Sequence, residues 1–317
     1  MKSLAIRSRY PFEWLVVRGL QWLAPHVSMS TVRATGRAVG RLAYRMDRSR
    51  REIALENLAH AFPGRSARDL DVLTRSMFAH FGSLVLELIK FGTYSRDEML
   101  AASDIEGADR VRQAYEQGRG VLFFTGHFGY WEIFAIGHPL RSEPVSVLAR
   151  ALDNPYLHRM LEDIRTSTGN SVIYRQGAVR RMLRALSAGR GIAILIDQHL
   201  HSTEVVSVGF FRRPAVTTSA LAALALRTGA PVVPVFALPL PDGRYRFIYE
   251  PPVDPPRADT PDAVREFTQR CTDVLEMYVR RYPDRWLWMH RRWREGASAG
   301  AAAAAFAVPR PDGETDA

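Results

Sequence analysis

From about residue 105 the chain alternates short apolar runs with helical stretches, and this alternation limits the possible folds more than any other feature. The apolar runs cover residues 121–125, 145–149, 171–174, 191–197, 231–238 and 245–249. Between them, 154–168, 177–188 and 216–228 have helical periodicity. Such a pattern predicts an α/β class with a mostly parallel central sheet flanked by helices. In sheets of that kind ligands gather outside the carboxyl ends of the strands. His127 follows one predicted strand and Asp197-Gln198 ends another, so one shared cleft is expected to hold both.

The preceding region reads as helix throughout, which divides the chain into an N-terminal helical, membrane-associating region (1–95), an α/β core (96–295) and a disordered tail (296–317). Phe12, Leu15, Val16, Leu20 and Leu23 recur at helical spacing with Trp14 and Trp22 off that face, while Glu13 and Arg18 interrupt the run. The run is about two-thirds of the roughly 20 apolar residues a spanning helix needs. It also lacks the uninterrupted core and cleavage site of a signal peptide. Tryptophans and flanking arginines suit a membrane interface; the alternative is a helix docked on the protein's own core. A second helix, capped by Ser28 or Ser30, carries Arg33, Arg37, Arg41 and Arg45 as one basic stripe. That stripe is either a solvated face or an adhesion surface for anionic lipid. A further helix near 67–91 has Leu70, Leu73, Met77, Phe81, Leu84, Val85 and Leu88 on one side. Beyond a proline-rich connector at 251–256 and a helix near 261–281, the Trp/Arg segment at 285–294 fits a core closure better than an interfacial belt, because Trp286, Trp288 and Trp293 have large areas to bury.

Composition narrows the chemistry. With 47% apolar and 24% charged residues over 317 positions the chain is globular, and its single cysteine, Cys271, rules out an intrachain disulfide and a cysteine-rich metal site. No metal or cofactor is expected. The net charge of +10 favours anionic partners, and residues 1–65 hold twelve Lys/Arg against four Asp/Glu. The chain has no zinc, helix-turn-helix or RNA-recognition signature, so nucleic acid is not an expected partner.

Gly126-His127-Phe128-Gly129-Tyr130-Trp131-Glu132 carries the reactive groups. A neutral imidazole at a strand-to-helix turn can take a proton from an alcohol near neutral pH. Glu132, in the first turn of the following helix, is predicted to hold the other ring nitrogen and fix the tautomer. Gly126 and Gly129 permit the turn and let backbone N–H groups approach a substrate oxygen. No serine or cysteine lies in a nucleophile-elbow pattern, so direct attack by an acceptor hydroxyl on an activated acyl group is favoured over a covalent enzyme intermediate.

Gly126-His127-x4-Glu132 resembles the His-x4-acidic motif of glycerolipid acyltransferases. Other segments match in order: Arg51-x2-Ala54-x2-Asn57-Leu58 with Phe62-Pro63, Gly118-Arg119-Gly120, Asn154-Pro155, Arg165-x3-Gly169, Asp197-Gln198, Phe210-Phe211 with Pro214-Ala215, the run from Gly229 to Pro234, and the tryptophan-rich finish. Across residues 10–295 the chain is similar to the lipid A biosynthesis (lauroyl/myristoyl) acyltransferases and to the phosphatidylinositol-mannoside acyltransferases. The resemblance implies transfer of a fatty acyl chain from an acyl-carrier protein or coenzyme A thioester to a hydroxyl of a lipid A-type glycolipid. It places the enzyme at the cytoplasmic face of the inner membrane, with anionic membrane lipid as a further partner. A different lipid acceptor and a non-catalytic lipid-surface protein are the alternatives. By position, His127 would be the base and Glu132 its partner. Arg165 would face the thioester carbonyl or a lipid phosphate, Asp197 and Gln198 would line the acceptor site, and Arg150 would be a further phosphate contact. Two positions depart from the lipid A enzymes: Tyr130 stands where they commonly have Asn, and Arg212-Arg213 where they favour Gly after Phe-Phe. The two extra cations would bind an acidic head group or form a solvated loop.

Overall fold

The computed structural model describes residues 2–174, 176–198, 205–256 and 262–293, with side chains described from Arg9 onward. The expected disordered tail lies outside these residues, as do Arg294 and the expected start of the last helix at Pro261.

Five helices come first: α1 (Lys2–Leu23), α2 (Met29–Met46), α3 (Arg48–Ala61), α4 (Ala67–Phe91) and α5 (Arg96–Ala101). Serine or aspartate side chains cap the starts of four of them. Ser28, Asp47, Ser66 and Ser95 each accept a hydrogen bond from a backbone N–H of the first turn. Next come β1 (Ser103–Glu106), α6 (Ala108–Glu116), β2 (Val121–Thr125), α7 (Trp131–Gly137), β3 (Val145–Ala149), α8 (Pro155–Thr166), β4 (Ser171–Tyr174), α9 (Ala178–Ser187) and β5 (Gly191–Leu195). The chain continues through β6 (Val205–Phe210), β7 (Arg213–Thr218), α10 (Ala220–Thr228), β8 (Val232–Pro239), β9 (Tyr245–Tyr249) and α11 (Ala263–Arg281).

Seven strands form the main sheet in the order β1-β9-β8-β2-β5-β3-β4, parallel except for the β8–β9 pair. The central strand β2 is buried along its whole length, which is why its sequence is a continuous apolar run and not an alternating one. α4 is apolar and long enough to cross a membrane, but over half of its most apolar window is buried. Met77, Phe78, Phe81 and Phe91 join the sheet residues in one core, so this helix fills the protein interior. Val85, expected on the packed face, is 58% exposed.

The expected helix at 216–228 is corrected. Residues up to Thr218 form β7, which pairs antiparallel with β6, and the helix starts only at Ala220. The β-branched Val216, Thr217 and Thr218 favour the strand. The hairpin and the four-residue β1 were not expected, because segments this short carry little periodicity. Trp286 and Trp288 are buried, and the Arg292 guanidinium sits inside donating to Val216 O (2.5 Å), so this segment closes the core.

Candidate active site

β2 and β5 are parallel neighbours with Thr125 opposite Leu195. His127 and Asp197 each lie two residues past those ends, so the register of the sheet brings them together. Asp197 Oδ2 accepts the His127 backbone N–H at 2.6 Å, and Oδ1 lies 2.8 Å from His127 Nδ1. Trp286 Nε1–H donates to Oδ2 at 2.8 Å, which gives this buried carboxylate a third hydrogen bond. Close approach is possible because residue 126 is glycine; a Cβ there would stand 2.8 Å from Asp197 Oδ2. With Nδ1–H donating to Asp197, Nε2 carries the lone pair and receives the Gln198 side-chain amide at 3.0 Å.

Burial alone would depress the His127 imidazole. The charge and hydrogen bond of Asp197, helped by the charge of Glu132, outweigh it and Arg165's opposing charge, so the net shift is upward. Burial would likewise raise Asp197, yet His127 and the Trp286 donor hold it below the usual carboxylate value. Both directions describe an imidazole whose protonated form is stabilised by a buried carboxylate.

The partnership predicted for Glu132 is therefore corrected. Glu132 does lie in the first turn of α7, as expected, but its carboxylate is taken by Arg165, whose Nε donates to Oε2 at 2.9 Å while Nη2 bonds Oε1. Asp197 fills the role at Nδ1 that spacing had assigned to Glu132. Arg165, reaching in from the last turn of α8, is fixed by that same pair, and its Nη1 has no protein partner among the described residues. Gly129 adopts φ +58, a left-handed backbone that favours glycine. Its N–H is not open to a substrate oxygen: it donates to Arg285 O at 2.8 Å. The N–H groups of His127, Phe128 and Tyr130 are also engaged, by Asp197, Gly126 and Ala237. Arg150 lines the cavity but is exposed, with Asp153 at 3.4 Å. Arg212 is exposed at the tip of the β6–β7 hairpin, where Phe211 and Arg212 both have positive φ, and it does not line the cavity.

A cavity of about 290 Å³ opens from these groups into the fold. At its polar end are His127, Glu132, Arg150, Arg165 and Gln198; inward it is walled by Phe123, Phe134, Val145, Val147, Ala193 and Val235. Phe123, Ala193 and Val147 sit side by side on β2, β5 and β3, with Phe123 four residues before His127 in the chain. Such a space takes a polar reacting group at its mouth and a hydrocarbon chain behind it. Among the described residues no group of three His, Cys, Asp or Glu side chains is arranged to hold a metal ion.

Several supporting residues were not anticipated. His80, buried on α4, approaches the Gly129 carbonyl through Nε2 (3.2 Å) and receives Arg285 Nη1–H at Nδ1 (2.9 Å). Burial and the Arg285 charge push its pKa down to about 3, so it is neutral and its Nε2–H can donate. Glu87, wholly buried, accepts from Ser83 (2.6 Å), Tyr245 (2.6 Å), Arg33 (2.9 Å) and Tyr130 (3.2 Å). Tyr130 thus turns away from the cavity into the core. The one signal for Glu87 in the sequence is its place at helical spacing with His80, Ser83 and Lys90, a polar row on a long and mostly apolar helix.

The sequence pattern of the family described as bacterial lipid A biosynthesis acyltransferase matches residues 1–295. A lipid A biosynthesis lauroyltransferase of Escherichia coli (strain K12) is 25% identical over 291 residues, covering 91% of this chain and 93% of that protein. The lipid A biosynthesis myristoyltransferase of the same strain is 23% identical over 79% of this chain and 77% of its own length. A phosphatidylinositol mannoside acyltransferase of Mycolicibacterium smegmatis is 24% identical over 75% of this chain and 77% of its own.

Proposed function

The chain belongs to the bacterial lipid A biosynthesis acyltransferase family, and from that premise we propose that it transfers a fatty acyl chain from a thioester to a hydroxyl of a lipid A-type glycolipid, with His127 as the general base. The observation that carries this reading is the geometry at His127: Nδ1 is held by buried Asp197, and Nε2 carries the lone pair at the mouth of an apolar cavity.

In the proposed reaction the acceptor hydroxyl takes the place of the Gln198 amide at Nε2. The imidazole removes its proton as the oxygen attacks the thioester carbonyl, and Asp197 stabilises the imidazolium that forms. Collapse of the tetrahedral species breaks the C–S bond, and the imidazolium returns the proton to the departing thiolate. One new ester and one thiol result. With the turn's amides engaged elsewhere, Arg165 is the cation best placed to meet the developing oxyanion, and Glu132 is its positioning residue. The cavity receives the acyl chain. Acyl-carrier protein and coenzyme A are both consistent donors.

Membrane association through the N-terminal helices fits the surface. Phe12 (68%), Leu15 (63%) and Trp22 (75%) of α1 are exposed, with no core covering them. The cytoplasmic face of the inner membrane is the proposed location, since both donor types are made in the cytoplasm.

The test is transfer of labelled acyl chains from each thioester to purified lipid A precursors, with mannoside and lysophospholipid acceptors alongside, for wild type and His127→Ala. Wild type should acylate the glycolipid while the variant, folded and vesicle-bound, loses nearly all transfer. Equal rates would remove His127 from the chemistry, and acylation of the mannoside alone would move the enzyme to the other acceptor class.

A further inference from the structure

Two consecutive residues hold the two nitrogens of the His127 ring. Asp197 takes Nδ1 at 2.8 Å, and the side-chain amide of Gln198, the next residue, donates to Nε2 at 3.0 Å. The first contact prepares a base. The second covers it, because a ring lone pair that accepts an amide N–H is not free to take a proton from a hydroxyl. Among the described residues no other group donates to Nε2. The His127 side chain is 19% exposed, so solvent reaches the ring, with Gln198 and the edge-on Trp131 ring (5.3 Å) beside it at the cavity mouth.

A thioester whose carbonyl sits at this mouth can meet two nucleophiles, a lipid hydroxyl and water, and a base that activates one activates the other. With water, Nε2 takes one proton as the oxygen attacks the carbonyl, the C–S bond breaks, and the proton passes to the departing thiolate. A fatty acid and a thiol result, and the acyl group is wasted. We propose that Gln198 determines the choice between the two: its amide occupies Nε2 until the acceptor lipid displaces it, so acyl transfer outruns thioester hydrolysis. A lipid hydroxyl arrives on a molecule held by its own further contacts, and that binding energy offsets the lost amide bond. Water brings no such contacts and competes with the amide directly. A neutral amide suits the task, since a donor at Nε2 favours the uncharged ring.

The inference rests on the role of His127 proposed above, and its test reads a reaction that needs no lipid acceptor. The full chain is given the dodecanoyl thioesters of coenzyme A and of acyl-carrier protein alone, and release of thiol and dodecanoic acid is followed. Wild type should hydrolyse them slowly. Gln198→Met, which keeps the length of the side chain and loses the donor, should hydrolyse them about tenfold faster, equivalent to one hydrogen bond of about 1.4 kcal/mol. With purified lipid A precursor added, its ratio of transfer to hydrolysis should fall by a similar factor. Gln198→Ala should behave alike, the fold of each variant being checked by circular dichroism. His127→Ala/Gln198→Met should lose the gain, which separates an uncovered base from a loosened site. No rise in hydrolysis in either folded variant would sink the proposal, as would a rise that persists without His127. Loss of both reactions in both variants would also sink it, by making Gln198 a donor that the reaction itself requires. Full transfer by His127→Ala would overturn the reading of the base and this inference together, whereas an inactive His127→Ala beside unchanged hydrolysis by Gln198→Met overturns this inference alone.

Discussion

At His127 the question is which carboxylate sets its proton affinity. Asp197 is in hydrogen-bond contact, and Glu132 acts only at longer range through its charge. The imidazole must be neutral to act as a base, and its pKa lies above the ordinary 6.5, so transfer should rise with pH through a midpoint above 6.5. Asp197→Asn should lower that midpoint and cut turnover by about 10³–10⁴, the scale of the same change in a Ser-His-Asp triad. Glu132→Gln should lower the midpoint by less than Asp197→Asn does, because Glu132 acts on His127 through charge alone, and should reduce turnover because Arg165 loses its anchor. A pH–rate profile for each variant decides the matter; a larger shift for Glu132→Gln would reinstate the spacing-based pair. The same pair couples stability to pH. Its contribution is complete between the unfolded carboxylate value near 3.8 and the unfolded imidazole value near 6.5. It fades as pH rises through the elevated His127 value and as pH falls through the depressed Asp197 value.

At the scale of elements, the turn that carries His127 is clamped from two directions. The segment after α11 pairs with it: Gly129 N–H donates to Arg285 O (2.8 Å), Leu287 N–H to His127 O (3.1 Å), and Trp286 reaches Asp197. From the other direction His80 of α4 holds the Gly129 carbonyl. Gly129→Ala should destabilise the protein by at least the roughly 1–2 kcal/mol of a left-handed non-glycine residue. Its Cβ would also meet Ala237 O at 2.1 Å. An unchanged melting temperature would show that the turn adopts another path. The C-terminal segment is in turn tied to α3 by Asn57, whose Nδ2 donates to the carbonyls of Trp288 and His290, each at 2.8 Å. Asn57→Ala leaves those acceptors short of a donor and should cost about 1–3 kcal/mol in chemical denaturation.

For the whole molecule, the proposed reaction makes the cavity the limit on acyl-chain length. Its apolar wall of Phe123, Phe134, Val145, Val147, Ala193 and Val235 bounds the length of hydrocarbon it can cover. Wild type should therefore show a chain-length optimum, with transfer falling for chains longer than the cavity covers. Ala193→Phe, filling the row that Ala193 shares with Phe123 and Val147, should move the optimum to shorter chains with little change in the pH profile. Competition between thioesters of graded length measures both, and an unaltered optimum would place the chain elsewhere.

Periodicity and local chemistry determined much of this protein without tertiary help. The strand–helix alternation, the serine caps, the helix at Ala67–Phe91 and the turn carrying His127 are each set within a dozen or so residues, so they can be read along the chain. The alternation did place Asp197 and His127 in one cleft. It could not say that β5 lies directly beside β2, and that adjacency is what makes Asp197 the partner at Nδ1. Glu132 was chosen because it is near in sequence; Arg165, thirty-three residues on, takes its carboxylate instead. Tyr130 looked like a marker of the acceptor, and the buried Glu87 of α4 draws it into the core. The division has one physical cause. Local conformation depends on neighbouring residues, whereas hydrogen-bond partners in a parallel sheet depend on strand order, which only the packed chain decides.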